Sequence, residues 1–365
     1  MRILYYYSSS QFDTGSPKAL AGMIDALDRS RHEPLFLTPE REGPLPAALA
    51  ARGVELIDGA ATEISWRRPL RAAAAIGRAA ALLRACRADV LHVNEFGWNL
   101  DIVLAAPLAK VPVILHVHNP LSVAAQNLNR LAATRVVFVS EAHRAATGHL
   151  ERIADRSLVL HNPVDIDEFA AGRSIRASLG LAADDVVVAT VCQITPNKAL
   201  DVLLDVARVL VPRWARVHFV VAGRAGVGHE AYAEGILRAA EAPDLAGRVH
   251  FLGSRDDVPD VLASADAFFL PTRSETFGIV VAEAMAASLP VVTTPVGGIR
   301  EIVTSDQEGR LVAPDHVAGF VAALDALIGD PDGRRALGRQ GRASLDGRFD
   351  RGTFARALDA LYASV

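Results

Sequence analysis

The chain has 365 residues, 51% of them hydrophobic and 22% charged, with a formal net charge of -4. That length suits two domains of about 150–200 residues each. The composition excludes a disordered chain, and the slight acidic balance argues against a nucleic-acid partner, which calls for a basic surplus. Cys86 and Cys192 stand far apart without metal-ligand or CxxC spacing, which fits a reducing compartment and no structural metal. The opening MRILYYYSSS lacks the apolar core and cleavage site of a signal peptide, and no run of about 18 apolar residues occurs, so a cytoplasmic protein is expected.

In chain order, RILYYY reads as a strand. DTGSPKAL follows, where Gly15 and Ser16 are expected to form a tight loop opening the helical SPKALAGMIDALDRS. VELID, the helical RAAAAIGRAAALLRACR, then DVLHVN, PVILHVH, RVVFVS and SLVLHNP complete a first series. A second series runs through DVVVATV, KALDVLLDVARVL, VHFVVAG, RVHFLG, VPDVLASA, AFFLP, PVVTTP and RLVAP. Continuous apolar runs, rather than alternating ones, mark parallel strands buried on both faces. The alternation with helical stretches predicts parallel sheets wound with helices, an α/β fold. The rhythm pauses at HNPVDIDEFAAGRSIRASLGLAADD, so domains are expected over 1–172 and 173–345. The amphipathic FDRGTFARALDALYASV, within 346–365, is free to cross back onto the first. Two such domains facing each other would bind ligands at the carboxyl ends of their strands.

One stretch, SETFGIVVAEAMA, places Glu275 before a short apolar helix and Glu283 inside it. Gly278 lets a ligand approach the backbone, and the amides of Phe277, Gly278 and Ile279 at a helix start favour phosphate or other electron-rich oxygens. Glu283 stands about 7 Å further along the helix axis, the span from a diphosphate to a ribose, and a carboxylate accepts hydrogen bonds from paired hydroxyls. The plainer alternative has Glu275 favouring the helix dipole and Glu283 facing solvent; its neighbours Val280, Val281, Ala284 and Met285 make that a poorly solvated place for a lone charge.

VCQITPNKAL puts Lys198 at the opening of another helix, a second anion site or a surface lysine. GRAGVGHE spaces its glycines as GxxGxG, which does not support a nicotinamide site. His118 lies at a strand's carboxyl end, where a cleft histidine and a satisfied structural one serve the pattern equally. His116 and His118 are expected on opposite strand faces, unable to share a metal. Asp165 and Asp167 have Asp-x-Asp spacing but fall in the linker, so no metal is predicted. The segment 65–88 carries six arginines and no acid, with Arg67, Arg71 and Arg78 near one helical face, either a solvated surface or a contact for anionic lipid.

Taken in order, these landmarks resemble the retaining glycosyltransferases of family 4, with the GT-B architecture of two facing Rossmann-like domains. The Gly15–Ser16 segment resembles the family's Gly-Gly loop, HVHNP its cleft histidine, and HNPVDIDEF its linker motif. VCQITPNKAL resembles its phosphate-binding segment, and ETFGIVVAE its E-x7-E signature. The resemblance implies that Glu283 binds the donor ribose, while Glu275 and the backbone of Phe277, Gly278 and Ile279 hold the transferred sugar. Lys198 would neutralise the diphosphate and His118 approach the sugar, making His118, Lys198 and Glu275 the catalytic set. Gly15, Ser16, Gln193 and Thr276 complete the donor side. Gln193 stands where the family usually has an arginine, and Cys192, Ala199 and Pro163 replace glycines.

The implied reaction moves a sugar from a nucleotide diphosphate donor, uridine favoured, to an acceptor hydroxyl with retention at the anomeric carbon. Neither metal nor other cofactor is implied, a leaving-phosphate oxygen accepts the proton, and domain closure gates the step. Two rivals are a nucleotide-sugar epimerase or hydrolase of the same fold, and a non-catalytic nucleotide-sugar-binding partner of a transferase. The expected location is cytoplasmic, with contact at the inner face of a membrane as an extension.

Overall fold

The computed structural model describes residues 1–12, 15–62, 64–65, 67–94, 100–119, 132–147 and 152–365. They form two units, Met1–Pro163 together with Arg351–Val365, and Val164–Asp350. The first unit is built on β1 (Arg2–Tyr6), β2 (Glu33–Thr38), β3 (Glu55–Asp58), β4 (Val90–Val93), β5 (Val113–Val117), β6 (Arg135–Phe138) and β7 (Ser157–Val159). Their order is β3-β2-β1-β4-β5-β6-β7, and the pairs are parallel. β2 is absent from the expected strands: Pro34 near its start removes a ladder donor and breaks the pattern that marks a central strand.

Successive strand residues point to opposite faces, and the unit has a core on each. Leu4, Tyr6, Leu35, Leu37, Leu91, Val93, Leu115, Val117, Val136 and Phe138 enter one core. Ile3, Tyr5, Phe36, Val90, Ile114 and Val137 enter the other. That second core is closed by the helix Arg351–Ala363, whose Phe354, Leu358, Leu361 and Tyr362 are buried in it. The last helix therefore belongs to the first unit, as expected. Arg31 and His32 hold its Asp359 at 2.8 and 3.1 Å.

The second unit carries β8 (Val186–Val191), β9 (Val217–Ala222), β10 (Val249–Gly253), β11 (Ala267–Leu270), β12 (Val291–Thr293) and β13 (Arg310–Leu311). The order is β10-β9-β8-β11-β12-β13, again parallel. In each sheet the winding reverses once, between β1 and β4 and between β8 and β11. Loops at such a reversal splay apart beyond the carboxyl ends and leave a crevice. Asp165, one half of the Asp-x-Asp pair, caps the helix Ile166–Ala170 by accepting from the Glu168 amide at 3.1 Å. No helix among the described residues is long and apolar enough to cross a membrane.

Candidate active site

The second unit brings Lys198 and Glu275 together at its switch point. β8 runs into a short turn, Pro196–Lys198, and β11 into the segment 271–278; the Lys198 Nζ donates to Glu275 Oε1 at 2.5 Å. Both side chains are largely buried, 18% and 11% exposed. This is a charge-assisted hydrogen bond in a poorly solvated place, stronger than a surface pair. Ala199, where the resembled family has glycine, takes the left-handed conformation at φ 56° to turn the chain into the helix Leu200–Leu210. Cys192 is buried beside this pair, and burial pushes its thiol up to about 12, which keeps it protonated and unreactive. Gln193 is half-buried one residue on.

The helix Ile279–Ala286 begins after Gly278, which sits at φ 91° and offers no side chain to cap it. The Val281 amide returns to the Gly278 carbonyl at 2.9 Å, and the amides ahead of it point out of the helix start, where a ligand can meet them. The glycine is required for a reason beyond the one read from sequence: a Cβ there would lie 2.7 Å from Ile299 Cγ1, so packing and backbone conformation both demand it. Just behind, Gly297 at φ 51° leaves no room for a Cβ, which would stand 1.7 Å from the Glu275 carbonyl oxygen. The segment after β12 thus braces the backbone that carries Glu275 and Thr276. Phe277 is buried, its ring 5.8 Å from that of Phe349. Glu283 follows Gly278 by five positions and is half-buried between buried Ala282 and Ala284.

The first unit makes a corresponding arrangement at its own switch point. Gly15 and Ser16 lie within the first turn of the helix Gly15–Ala26, rather than in a loop before it. Asn94, just past β4, reaches the Ser16 carbonyl with Nδ2 at 3.4 Å, and its Oδ1 is 3.1 Å from His118 Nε2. Asn94 was not among the expected residues; its only signal is its place immediately after DVLHV, at a strand's carboxyl end. His118 is buried, and burial, with the charge of His143 adding to it, holds its pKa down to about 3. A neutral imidazole there can exchange hydrogen bonds but supplies no charge.

The expectation for His116 and His118 is corrected. Their rings stack at 4.3 Å between centroids, because residues two apart on a strand share a face. Arg67 also falls elsewhere than expected: the helix is Pro69–Ala85, so Arg67 precedes it, whereas Arg71 and Arg78 lie on the helix and are exposed, as is Arg84.

A family model of glycosyltransferase family 4 matches residues 15–168, and one of glycosyl transferases group 1 matches residues 173–344. Between them they account for both units, and the chain belongs to the GT-B glycosyltransferases of this family. Among curated relatives, the D-inositol 3-phosphate glycosyltransferase of Mycobacterium leprae is 38% identical over 189 residues, 51% of this chain and 42% of that one. The Mycobacterium tuberculosis counterpart is 37% identical over 188 residues, 50% of this chain and 37% of that one. The match thus spans less than half the length of these relatives. Among solved structures, Anabaena HepE in complex with UDP-glucose has a TM-score of 0.83 at 24% identity, over 100% of both chains. A glycosyltransferase from Rickettsia africae has a TM-score of 0.85 at 15% identity, covering 100% of this chain and 98% of that one. At these identities the likeness is one of fold.

Proposed function

We propose that the protein transfers a hexosyl group from a nucleotide diphosphate sugar to an acceptor hydroxyl, with retention of anomeric configuration. The observation that carries this reading is the Lys198–Glu275 pair at the switch point, 2.5 Å apart and beside an uncapped helix start. An ammonium, a helix start without a side-chain cap and a carboxylate in one crevice suit a ligand that is anionic at one end and hydroxylated at the other.

In this reading Lys198 leaves Glu275 for the diphosphate and, with the first amides of the helix Ile279–Ala286, offsets the charge that grows on the leaving group. Glu275, released, accepts from hydroxyls of the sugar, and Glu283 from the ribose. Gln193 and Thr276 lie within the same loops and complete the donor contacts. The anomeric C–O bond to phosphate breaks, a C–O bond to the acceptor forms on the same face, and the acceptor's proton passes to a phosphate oxygen. No side chain serves as base, and the scheme needs no metal. His118, Gly15 and Ser16 are assigned to donor sugar, leaving phosphate or acceptor on the family resemblance. Uridine is favoured as the base, in keeping with the UDP-glucose complex of Anabaena HepE.

The acceptor is proposed to be a glycan, a small polyol or a lipid-linked hydroxyl. For the last, the exposed Arg67, Arg71 and Arg78 stand near Leu70, which is 86% exposed. Cations next to an exposed apolar side chain suit peripheral contact with the anionic inner face of a membrane, from a cytoplasmic location. Co-sedimentation that does not differ between neutral and anionic liposomes would remove that element.

The test of the main reading is incubation with radiolabelled UDP-sugars, with and without candidate acceptors. Acceptor-dependent product with the donor's anomeric configuration supports it. Free sugar or an epimer formed just as fast without acceptor favours the hydrolase or epimerase, and no turnover with intact UDP binding favours a non-catalytic subunit.

A further inference from the structure

The turn that carries Lys198 and the segment that carries Glu275 are joined by more than their ion pair. The Arg273 amide donates to the Asn197 carbonyl at 2.6 Å, and its Nη1 donates to the Pro196 carbonyl at 2.7 Å. The Thr272 hydroxyl also donates to the Asn197 carbonyl, at 2.9 Å. The same guanidinium reaches Asp201 at 2.6 and 3.1 Å and Asp315 at 2.8 Å. Asp201, the second residue of the helix Leu200–Leu210, accepts in addition from the Tyr232 hydroxyl at 3.0 Å. One planar cation therefore fastens the Lys198 turn, the helix that follows it and the segment before the helix Val317–Gly329 to the backbone two residues ahead of Glu275.

We propose that Arg273 is a positioning residue of the donor site, a strut that keeps the Lys198 turn in register with Glu275 once the ion pair opens. This deepens the reading above and rests on it. While Lys198 holds Glu275, the pair itself ties the two segments. When a diphosphate takes Lys198, that tie is gone, and the three-residue turn ending in a left-handed alanine is held to the Glu275 segment by Arg273 and Thr272. Displacement of such a group by about 1 Å costs on the order of 100-fold in rate. A lysine at position 273 cannot stand in, because a point charge does not reach two carboxylates and a carbonyl together.

The strut is tested without any ligand by amide hydrogen exchange at residues 197–199 in the full chain, comparing Arg273→Met in the native background and with Glu275→Gln, which loosens the ion pair. Exchange about tenfold faster on adding Arg273→Met to Glu275→Gln, and a smaller change in the native background, are expected. Equal effects in the two backgrounds overturn the proposal. Should Arg273→Met not fold, Asp315→Asn, which removes one exposed arm of the network, is expected to give the same ordering with about threefold faster exchange, and no difference overturns it. Calorimetric titration with UDP supplies the second arm. Weaker binding by about tenfold in both Arg273→Met and Arg273→Lys is expected; affinity within twofold of the native chain, with a lowered melting temperature, would make Arg273 merely structural. If the native chain binds no nucleoside diphosphate while exchange behaves as expected, the donor reading fails and its positioning role with it, whereas failure of the exchange arm with UDP binding intact overturns the strut alone.

Discussion

Tyr5 and Tyr362, 357 positions apart in the chain, share a hydrogen bond of 2.6 Å inside the first unit. Tyr362 also lies 2.9 Å from His92 Nδ1, so the last helix is keyed into the sheet by one phenol with two buried polar partners. Burial raises the Tyr5 and Tyr362 phenols well above their ordinary range, and both stay protonated at any physiological pH. Tyr362→Phe keeps the ring's packing but leaves those partners unsatisfied, at a cost of about 1–3 kcal/mol. In urea unfolding, the transition belonging to the first unit is expected to shift while that of the second does not. A variant as stable as the native chain would show that the helix is held by its apolar face alone.

Acid should weaken the same unit. His92 and His118 are held down to about 3, His116 well below its ordinary value and His143 below it as well, in each case chiefly by burial. The native state keeps these rings neutral, while the unfolded chain takes up protons near pH 6.5. Their contribution is therefore complete above about pH 6.5 and is lost as pH falls from there towards 3, by up to about 1.4 kcal/mol per pH unit for each histidine. Among the described residues neither ring nitrogen of His116 has a hydrogen-bond partner. His116→Leu is expected to flatten the pH dependence by about one proton and to cost little at pH 8, because no bond is lost. A denaturation series from pH 8 to 5 measures both, and an unchanged slope contradicts the assignment.

Much of this architecture is legible before any coordinates, and the exceptions have physical causes. Strands buried on both faces announce themselves as unbroken apolar runs, and β2 (with Pro34) hides because proline is read as a break. The E-x7-E stretch shows which carboxylates to watch, since a half-buried Glu283 among Val280, Val281 and Ala284 is conspicuous. Its partner in space is less visible: Lys198 and Glu275 are 77 positions apart, and only the adjacency of β8 and β11 brings them together. Arg273 and Asn94 are harder still. An arginine in a polar loop carries no local signal and Asn94 only its place at a strand's carboxyl end, so their meaning lies in what the fold sets opposite them.

The glycines behind Glu275 separate steric need from backbone preference. Gly297→Ala would drive a Cβ onto the Glu275 carbonyl, 1.7 Å away, in addition to straining a positive φ of 51°. Gly247 and Gly180 have positive φ values too, 73° and 70°, but no atom within 4 Å of the site of a Cβ. Gly247→Ala and Gly180→Ala should each cost about 1 kcal/mol, the conformational penalty alone. Gly297→Ala should cost about 2–4 kcal/mol and abolish stabilisation by UDP, because the backbone must shift at Glu275. Thermal melting with and without UDP checks both halves, and equal losses at the three positions would count against the bracing of Glu275 by the 296–298 segment.

Lys198 and Glu275 should separate in their kinetic effects, although they are partners in the free protein. Lys198→Met removes the cation assigned to the diphosphate and leaves the Glu275 carboxylate, 11% exposed, without its ion-pair partner. A loss of about 3 kcal/mol in stability is expected from the stranded charge, together with loss of the melting-temperature rise that saturating UDP gives the native chain, about 2.7 kcal/mol at 100 times Kd. Glu275→Gln keeps the side chain's shape and frees Lys198 from competition. It should bind UDP as tightly as the native chain or more so, because the phosphate no longer has to displace a carboxylate. With a sugar attached the order reverses: a neutral amide is a poorer acceptor for sugar hydroxyls, and kcat should fall by about 100-fold with KM little changed. Equal loss of UDP binding in both variants would mean that Glu275 serves the diphosphate end rather than the sugar, and the two roles assigned to this pair would have to be exchanged.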